Sequence, residues 1–130
     1  MPWNSLTFEP KLGHITTFGG HPINCAASLA TLEYLLSSEI MSEIDKKEQL
    51  FRTHLKHPKI KEIRGKGLMI AIEFNNEELA QRVVEQSLEN RLILFYFLFT
   101  KTAIRITPPL TITKEEIIKG CKIIQGILEK

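Results

Sequence analysis

No hydrophobic run in these 130 residues is long enough to span a bilayer; the most apolar stretch, around Ile93 to Phe99, is far too short. Cysteine is scarce as well. Cys25 and Cys121 are the only two, and each falls in the apolar stripe of an expected helix, so both read as small buried hydrophobes. The four histidines, His14, His21, His54 and His57, have neither an HExxH nor a Cys–His spacing, which leaves no metal-ligand set. An excess of one charge is also missing. With 17 Lys and Arg against 15 Asp and Glu, the net charge of +2 gives no electrostatic case for nucleic acid or an anionic membrane surface. Met1-Pro2-Trp3-Asn4 lacks the basic region and apolar core of a signal peptide, so a cytoplasmic location is the default expectation. There is no internal repeat and no low-complexity segment.

What is present suits one soluble domain with a core that needs no disulfide or metal: 43% hydrophobic and 25% charged residues are ordinary globular proportions. Residues 1–13 carry Pro2, Pro10 and scattered Trp, Phe and Leu without a period, which reads as an extended arm lying against another surface. From Pro22 the spacing predicts a helix, with Cys25, Leu29, Leu32 and Leu36 on one buried face. Ser37-Ser38 is placed to cap a second helix with Ile40, Ile44, Phe51 and Leu55 inward, ended by His57-Pro58. Ile60 to Phe74 reads as strand, with Ile70, Ile72 and Phe74 alternating with Met69, Ala71 and Glu73. Asn75 and Glu78 form a candidate capping pair for a third helix, with Leu79, Ala80, Val83, Val84 and Leu88 along its inner edges. Leu92 to Phe99 suits a buried strand or an interface segment, and Ala103 to Thr107 a short strand stopped by Pro108-Pro109. Thr113 to Glu116 is a capping box, with Ile112 stapled to Ile117 and a stripe of Ile117, Cys121, Ile124 and Leu128. The expected class is α+β, a small antiparallel sheet covered by helices.

Three polar stretches stand out. In His14-Ile15-Thr16-Thr17-Phe18-Gly19-Gly20-His21-Pro22, two hydroxyls and a Gly-Gly pair lead into a helix start. Such a loop can approach a small anion, and it can equally be an ordinary glycine turn capped by threonine. Arg64-Gly65-Lys66-Gly67 is either a bend or bulge in a strand or a basic phosphate loop. Arg105 sits between Ile104 and Ile106 and shares its face with the small Ala103 and Thr107. The space around it suits a guanidinium fork gripping a carboxylate, while an edge-strand arginine that discourages aggregation fits the same pattern.

Taken in order, the first stretch, the strand Ile63-Arg64-Gly65-Lys66-Gly67-Leu68-Met69-Ile70, and Ile104-Arg105-Ile106-Thr107-Pro108-Pro109-Leu110 resemble the C-terminal part of class III pyridoxal-phosphate-dependent aminotransferases. Acetylornithine, ornithine and 4-aminobutyrate aminotransferases belong to that family. The resemblance runs from Gly13 to Lys130. It implies the small C-terminal domain of a fold-type I enzyme over residues 22–130. Residues 1–21 would be an arm and loop belonging to the large-domain and dimer interface. It implies that Thr17, with Thr16 beside it, reaches across a homodimer to the phosphate of pyridoxal 5'-phosphate. Arg105 would bind the α-carboxylate of an amino-acid substrate. The implied reaction moves an amino group from an amino donor to a 2-oxo acid or aldehyde.

The family's Schiff-base lysine lies upstream of the matched region, and Lys11 does not match its motif, so no catalytic residue is assigned here. The 130 residues are accordingly expected to be an incomplete, non-catalytic portion of such an enzyme. The family has Asn where His21 stands. The rival expectation is a free-standing, non-catalytic α+β module that binds a small anion or a protein partner through Leu92 to Phe99.

Overall fold

Pro22 opens helix α1, which runs Pro22–Ser37 in the computed structural model; the model describes residues 17–130. The expected arm over residues 1–13, together with Thr16, lies outside the described residues. The chain forms two units, Met1–Ser38 and Glu39–Lys130.

In the first unit, Pro at the first helical position lacks only an N–H that would have no partner there. His21 is the N-cap, its Nδ1 accepting from Ile23 N at 3.3 Å, which is the service an Asn would perform. The expected buried stripe is not realised. No α1 residue is buried, and Leu29, Leu32 and Leu36 are all exposed. Ile23, Ala26, Ala27 and Ala30 spread apolar character around the helix, so it has little one-sidedness to bury. Cys25, expected in a core, is exposed, with its thiol directed at the Gly19 carbonyl at 3.7 Å. Ser38 serves the end of α1 and does not cap the next helix: its N–H donates to Tyr34 O at 3.0 Å.

The second unit starts with a 3-10 turn, Glu39–Met41, and helix α2, Ile44–His54, whose N-cap position is Glu43 with no side-chain cap bond. Phe51 and Leu55 turn inward as expected. The single strand expected over residues 60–74 is a hairpin, β1 Ile60–Lys66 and β2 Met69–Phe74, turning at Gly67 and Leu68. Gly67 has φ +60, fitting the two-residue hairpin turns that need glycine first. Helix α3 spans Glu77–Glu89, β3 Phe95–Tyr96, β4 Ala103–Ile106 and α4 Lys114–Leu128. The four strands form one antiparallel sheet in the order β1-β2-β4-β3. This is the expected α+β layer.

Side-chain alternation divides the sheet into two faces. Ile63, Ile72 and Ile104 line one row, Ile70 and Ile106 another, and they form a core with Phe51, Val83, Ile117, Cys121, Ile124 and Leu128. α4 packs against α2 and α3, and α3 against β2 and β4. The capping box of α4 is present as expected, Thr113 and Glu116 exchanging bonds. The cap of α3 is one residue later than expected: Asn76, not Asn75, accepts from Leu79 N at 2.8 Å. α3 is also turned relative to expectation, burying Ala80, Val83 and Ser87 and leaving Leu88 exposed. Leu92 to Phe99 is not a buried strand. Only Leu94 in it is buried, and Leu98 and Phe99 are 92% and 97% exposed.

Candidate functional site

Across the sheet from the core, one row reads Arg64, Ala71, Arg105, Phe95, taken from β1, β2, β4 and β3 in turn. Directly opposed residues in antiparallel strands share a face. Both arginines therefore stand on the same open side, with a single alanine methyl between them. Their circumstances differ. Arg64 forms an ion pair with Glu73 at 2.9 Å, and Thr102 donates its hydroxyl to the same carboxylate, so that guanidinium is committed. Arg105 has no carboxylate partner among the described residues, and its Cζ lies over the Phe95 ring, 5.3 Å from the centroid. The neighbours Ile104 and Ile106 are buried while Arg105 is exposed, as the sequence alternation requires. Pro108, two residues beyond the strand's last residue Ile106, cannot extend the ladder.

Arg64-Gly65-Lys66-Gly67 resolves to a structural turn and not to a phosphate loop. The N–H of Gly67, which a phosphate would need, donates to the buried Glu48 carboxylate at 2.6 Å. Arg52, one turn along α2, holds the other Glu48 oxygen at 2.9 Å and donates to the carbonyls of Ile63 and Gly65 at 2.8 and 3.0 Å. The Gly67 N–H, then the Arg52 guanidinium, hold the Glu48 carboxyl below the usual carboxylate range. Gly65 has φ +124, and a Cβ there would lie 2.0 Å from the Met69 carbonyl oxygen. Lys66 is exposed and pairs with Asp45 at 3.2 Å.

Thr17 belongs to the first unit, exposed at a bend that leads through the turn Gly19-Gly20 into α1. His21 N donates to the Phe18 carbonyl at 3.1 Å, and Asn24 Nδ2 donates to the same oxygen at 3.1 Å. With the Gly19 carbonyl facing the Cys25 thiol, two loop acceptors are turned toward their own helix, away from any approaching anion. A Cβ on Gly20 would meet nothing within 4 Å. The loop's hydroxyl, small residues and inward carbonyls fit a phosphate group. Thr17 and Arg105 lie in different units, and Thr16 is outside the described residues.

A cavity of about 110 Å³ lies in the second unit, lined mainly by core side chains such as Phe51, Ile117 and Ile124, with Arg105 and Glu116 among its polar walls. Glu116 is engaged by the Thr113 N–H and hydroxyl, which hold its carboxyl below the usual range. Cys121 is buried, and burial pushes its thiol up to about 12, so it is inert. Among the described residues no group of three or more His, Cys, Asp or Glu could hold a metal, and no helix is long and apolar enough to cross a membrane. Phe95, Ala71 and Glu73 shape the surroundings of Arg105 and were not singled out in the sequence. Their part depends on strand register, which only the paired structure supplies.

The family model for class-III aminotransferases matches residues 5–128. The chain is 37% identical to the acetylornithine aminotransferase of Caldanaerobacter subterraneus subsp. tengcongensis, over 98% of this chain and 33% of that enzyme. Among solved structures, acetylornithine aminotransferase from Elizabethkingia anophelis superposes with a TM-score of 0.77 at 34% identity, covering 90% of this chain and 32% of that one. Ornithine aminotransferase from Toxoplasma gondii ME49 gives 0.76 at 32% identity, with 90% and 29% covered. The chain thus spans about a third of the length of these relatives. Enzymes of this family depend on pyridoxal phosphate. A match over nearly the whole chain, joined to the same α+β sheet, settles the grouping: the chain belongs to the class-III aminotransferase family.

Proposed function

We propose that these residues supply the carboxylate-binding and phosphate-contacting parts of an enzyme that moves an amino group from an amino donor to a 2-oxo acid or aldehyde. The observation that carries this is Arg105: an exposed guanidinium on the open sheet face, without a carboxylate partner among the described residues, in the Arg-x-x-Pro-Pro context of the family. Its two outer N–H groups match the two oxygens of an α-carboxylate, which fixes where the α-carbon points as well as holding the charge. Thr17, with Thr16, contacts the cofactor phosphate of a second copy in a homodimer. His21 as N-cap and the inward Phe18 carbonyl keep that loop's hydroxyl side outward. Residues 1–21 then belong to the large-domain and dimer interface, and residues 22–130 to the small C-terminal domain. The bound cofactor supplies the electron sink for the substrate carbon that carries the amino group. The lysine that would hold it is outside the region matched, so the 130 residues by themselves do not transaminate. A cytoplasmic setting accompanies this reading.

In the complete enzyme, Arg105→Ala raises KM for the amino-acid substrate by roughly 100-fold, the loss of two charge-assisted hydrogen bonds. Thr17→Val lowers cofactor retention. An Arg105→Ala enzyme with unchanged KM overturns the assignment. Turnover by the purified 130 residues with added pyridoxal phosphate and glutamate overturns their incompleteness.

A further inference from the structure

We propose that Phe95 is a positioning residue for Arg105: its ring holds the guanidinium in place while leaving the N–H donors to a substrate carboxylate. This rests on the carboxylate-binding reading of Arg105. Phe95 and Arg105 are register partners across β3 and β4, so their side chains leave the sheet side by side on its open face. The Arg105 Cζ lies 5.3 Å from the ring centroid, inside the range where the negative ring face attracts a cation. A phenyl ring carries no oxygen or nitrogen acceptor, so the contact restrains Arg105 without spending its donors on a conventional hydrogen bond, as a carboxylate would. A carboxylate partner would restrain the side chain too, but only by consuming the donors that a substrate needs. Arg64 shows that alternative two strands away, where Glu73 takes its guanidinium.

Among the described residues, no other register partner in this row holds the guanidinium. Ala71, the partner of Arg105 on the other side, carries only a methyl group. Arg64, beyond Ala71, repels rather than holds. An arginine left to itself on a sheet surface would sample many rotamers, and binding would have to freeze them. The ring reduces that requirement in advance. Phe95 is 51% exposed, so its ring contributes little to the core, and a packing role does not account for it.

The test uses nitrogen-15 relaxation of the Arg105 Nε–Hε group in the 130-residue chain, with an acetate titration at constant ionic strength. The expected result is an ordered Nε–Hε in the unsubstituted chain and in Phe95→Tyr, and a mobile one in Phe95→Leu. Acetate affinity falls roughly two- to fivefold in Phe95→Leu, the worth of one exposed cation–ring contact. Phe95→Met, similar in bulk and without a ring face, gives the same comparison should leucine disturb the amide spectrum. A merely structural phenylalanine would leave Arg105 equally ordered in all four chains, and that result overturns the proposal. So does an acetate response equal in Phe95→Leu and the unsubstituted chain. An Arg105 that is ordered by the ring yet shifted by no carboxylate overturns the underlying reading of Arg105, and the two failures are thereby told apart.

Discussion

Two glycine-bearing segments of this chain look alike in sequence and differ in what demands their glycines. In Arg64-Gly65-Lys66-Gly67 the demand is internal. Gly65 has a positive φ with a neighbour's carbonyl oxygen where a Cβ would go, and the Gly67 N–H is taken by Glu48. At Gly67 a Cβ would come within 2.8 Å of the Ile44 side chain. In Thr17-Phe18-Gly19-Gly20 no such demand is seen at Gly20: among the described residues, nothing lies within 4 Å of where its Cβ would be. A glycine that its own fold requires says nothing about ligands. A glycine with empty space beside it leaves a requirement to be supplied by whatever comes close from outside.

The comparison breaks most visibly at Gly65. Gly65→Ala combines a left-handed backbone angle with a backbone clash, so the second unit should lose about 3 kcal/mol or more, read as a fall in the urea midpoint. A loss under about 1 kcal/mol would mean that the hairpin relaxes easily and that the glycine is not structurally required.

Glu48 comes next. Glu48→Gln leaves the Gly67 N–H and the Arg52 guanidinium with a neutral, poorer partner, at a cost of about 2 kcal/mol near neutral pH. The sign with pH follows from the lowered carboxyl. Its contribution is complete above the unfolded value of about 4.3 and is lost as pH falls through the lower folded value. Urea midpoints of the two chains should therefore differ at pH 7 and converge in strong acid. A difference independent of pH would place the stabilisation in packing and not in charge.

The same contrast, committed group against open group, separates the two arginines. Arg64→Ala removes the ion partner of the buried Glu73 and should cost about 1–2 kcal/mol, whereas Arg105→Ala should stay within about 0.5 kcal/mol of the unsubstituted chain. Equal losses in denaturant melts would make Arg105 a structural residue and weaken its assignment to a substrate.

The elements that the sequence made legible are those whose signals are local. The α4 stripe and capping box, Pro22 at a helix start and the short strand before Pro108 all depend on residues within one or two turns of each other. What was not legible depended on partners distant in the chain. The hairpin at Gly67 was hidden because Arg64-Gly65-Lys66-Gly67 suits a bulge within one strand as well as a turn between two, and the β1–β2 register decides between them. The α1 stripe has sound helical spacing but no residue of it is buried, since spacing states which face could pack and not what packs on it. Ser87 is fully buried while Leu88, expected inward, is exposed, so the helix face that packs is not the one apolarity alone selects. At the candidate site, Arg105 stood out by its isolation among isoleucines. Phe95 did not, because it lies in an aromatic run where no single ring is distinguished until the β3–β4 register is known.

The smallest expected effect is the most informative about the opening loop. Gly20→Ala meets no atom within 4 Å and should change the stability of the isolated chain by less than about 0.5 kcal/mol. If the loop closes on a phosphate held by a second copy, the added methyl meets that partner surface, and the complete enzyme should lose cofactor affinity while its thermal unfolding without cofactor is unchanged. Gly65→Ala should show the reverse pattern, unfolding with or without cofactor. Should Gly20→Ala leave cofactor affinity intact as well, the open space beside it has no occupant, and Thr17 loses its claim on the phosphate.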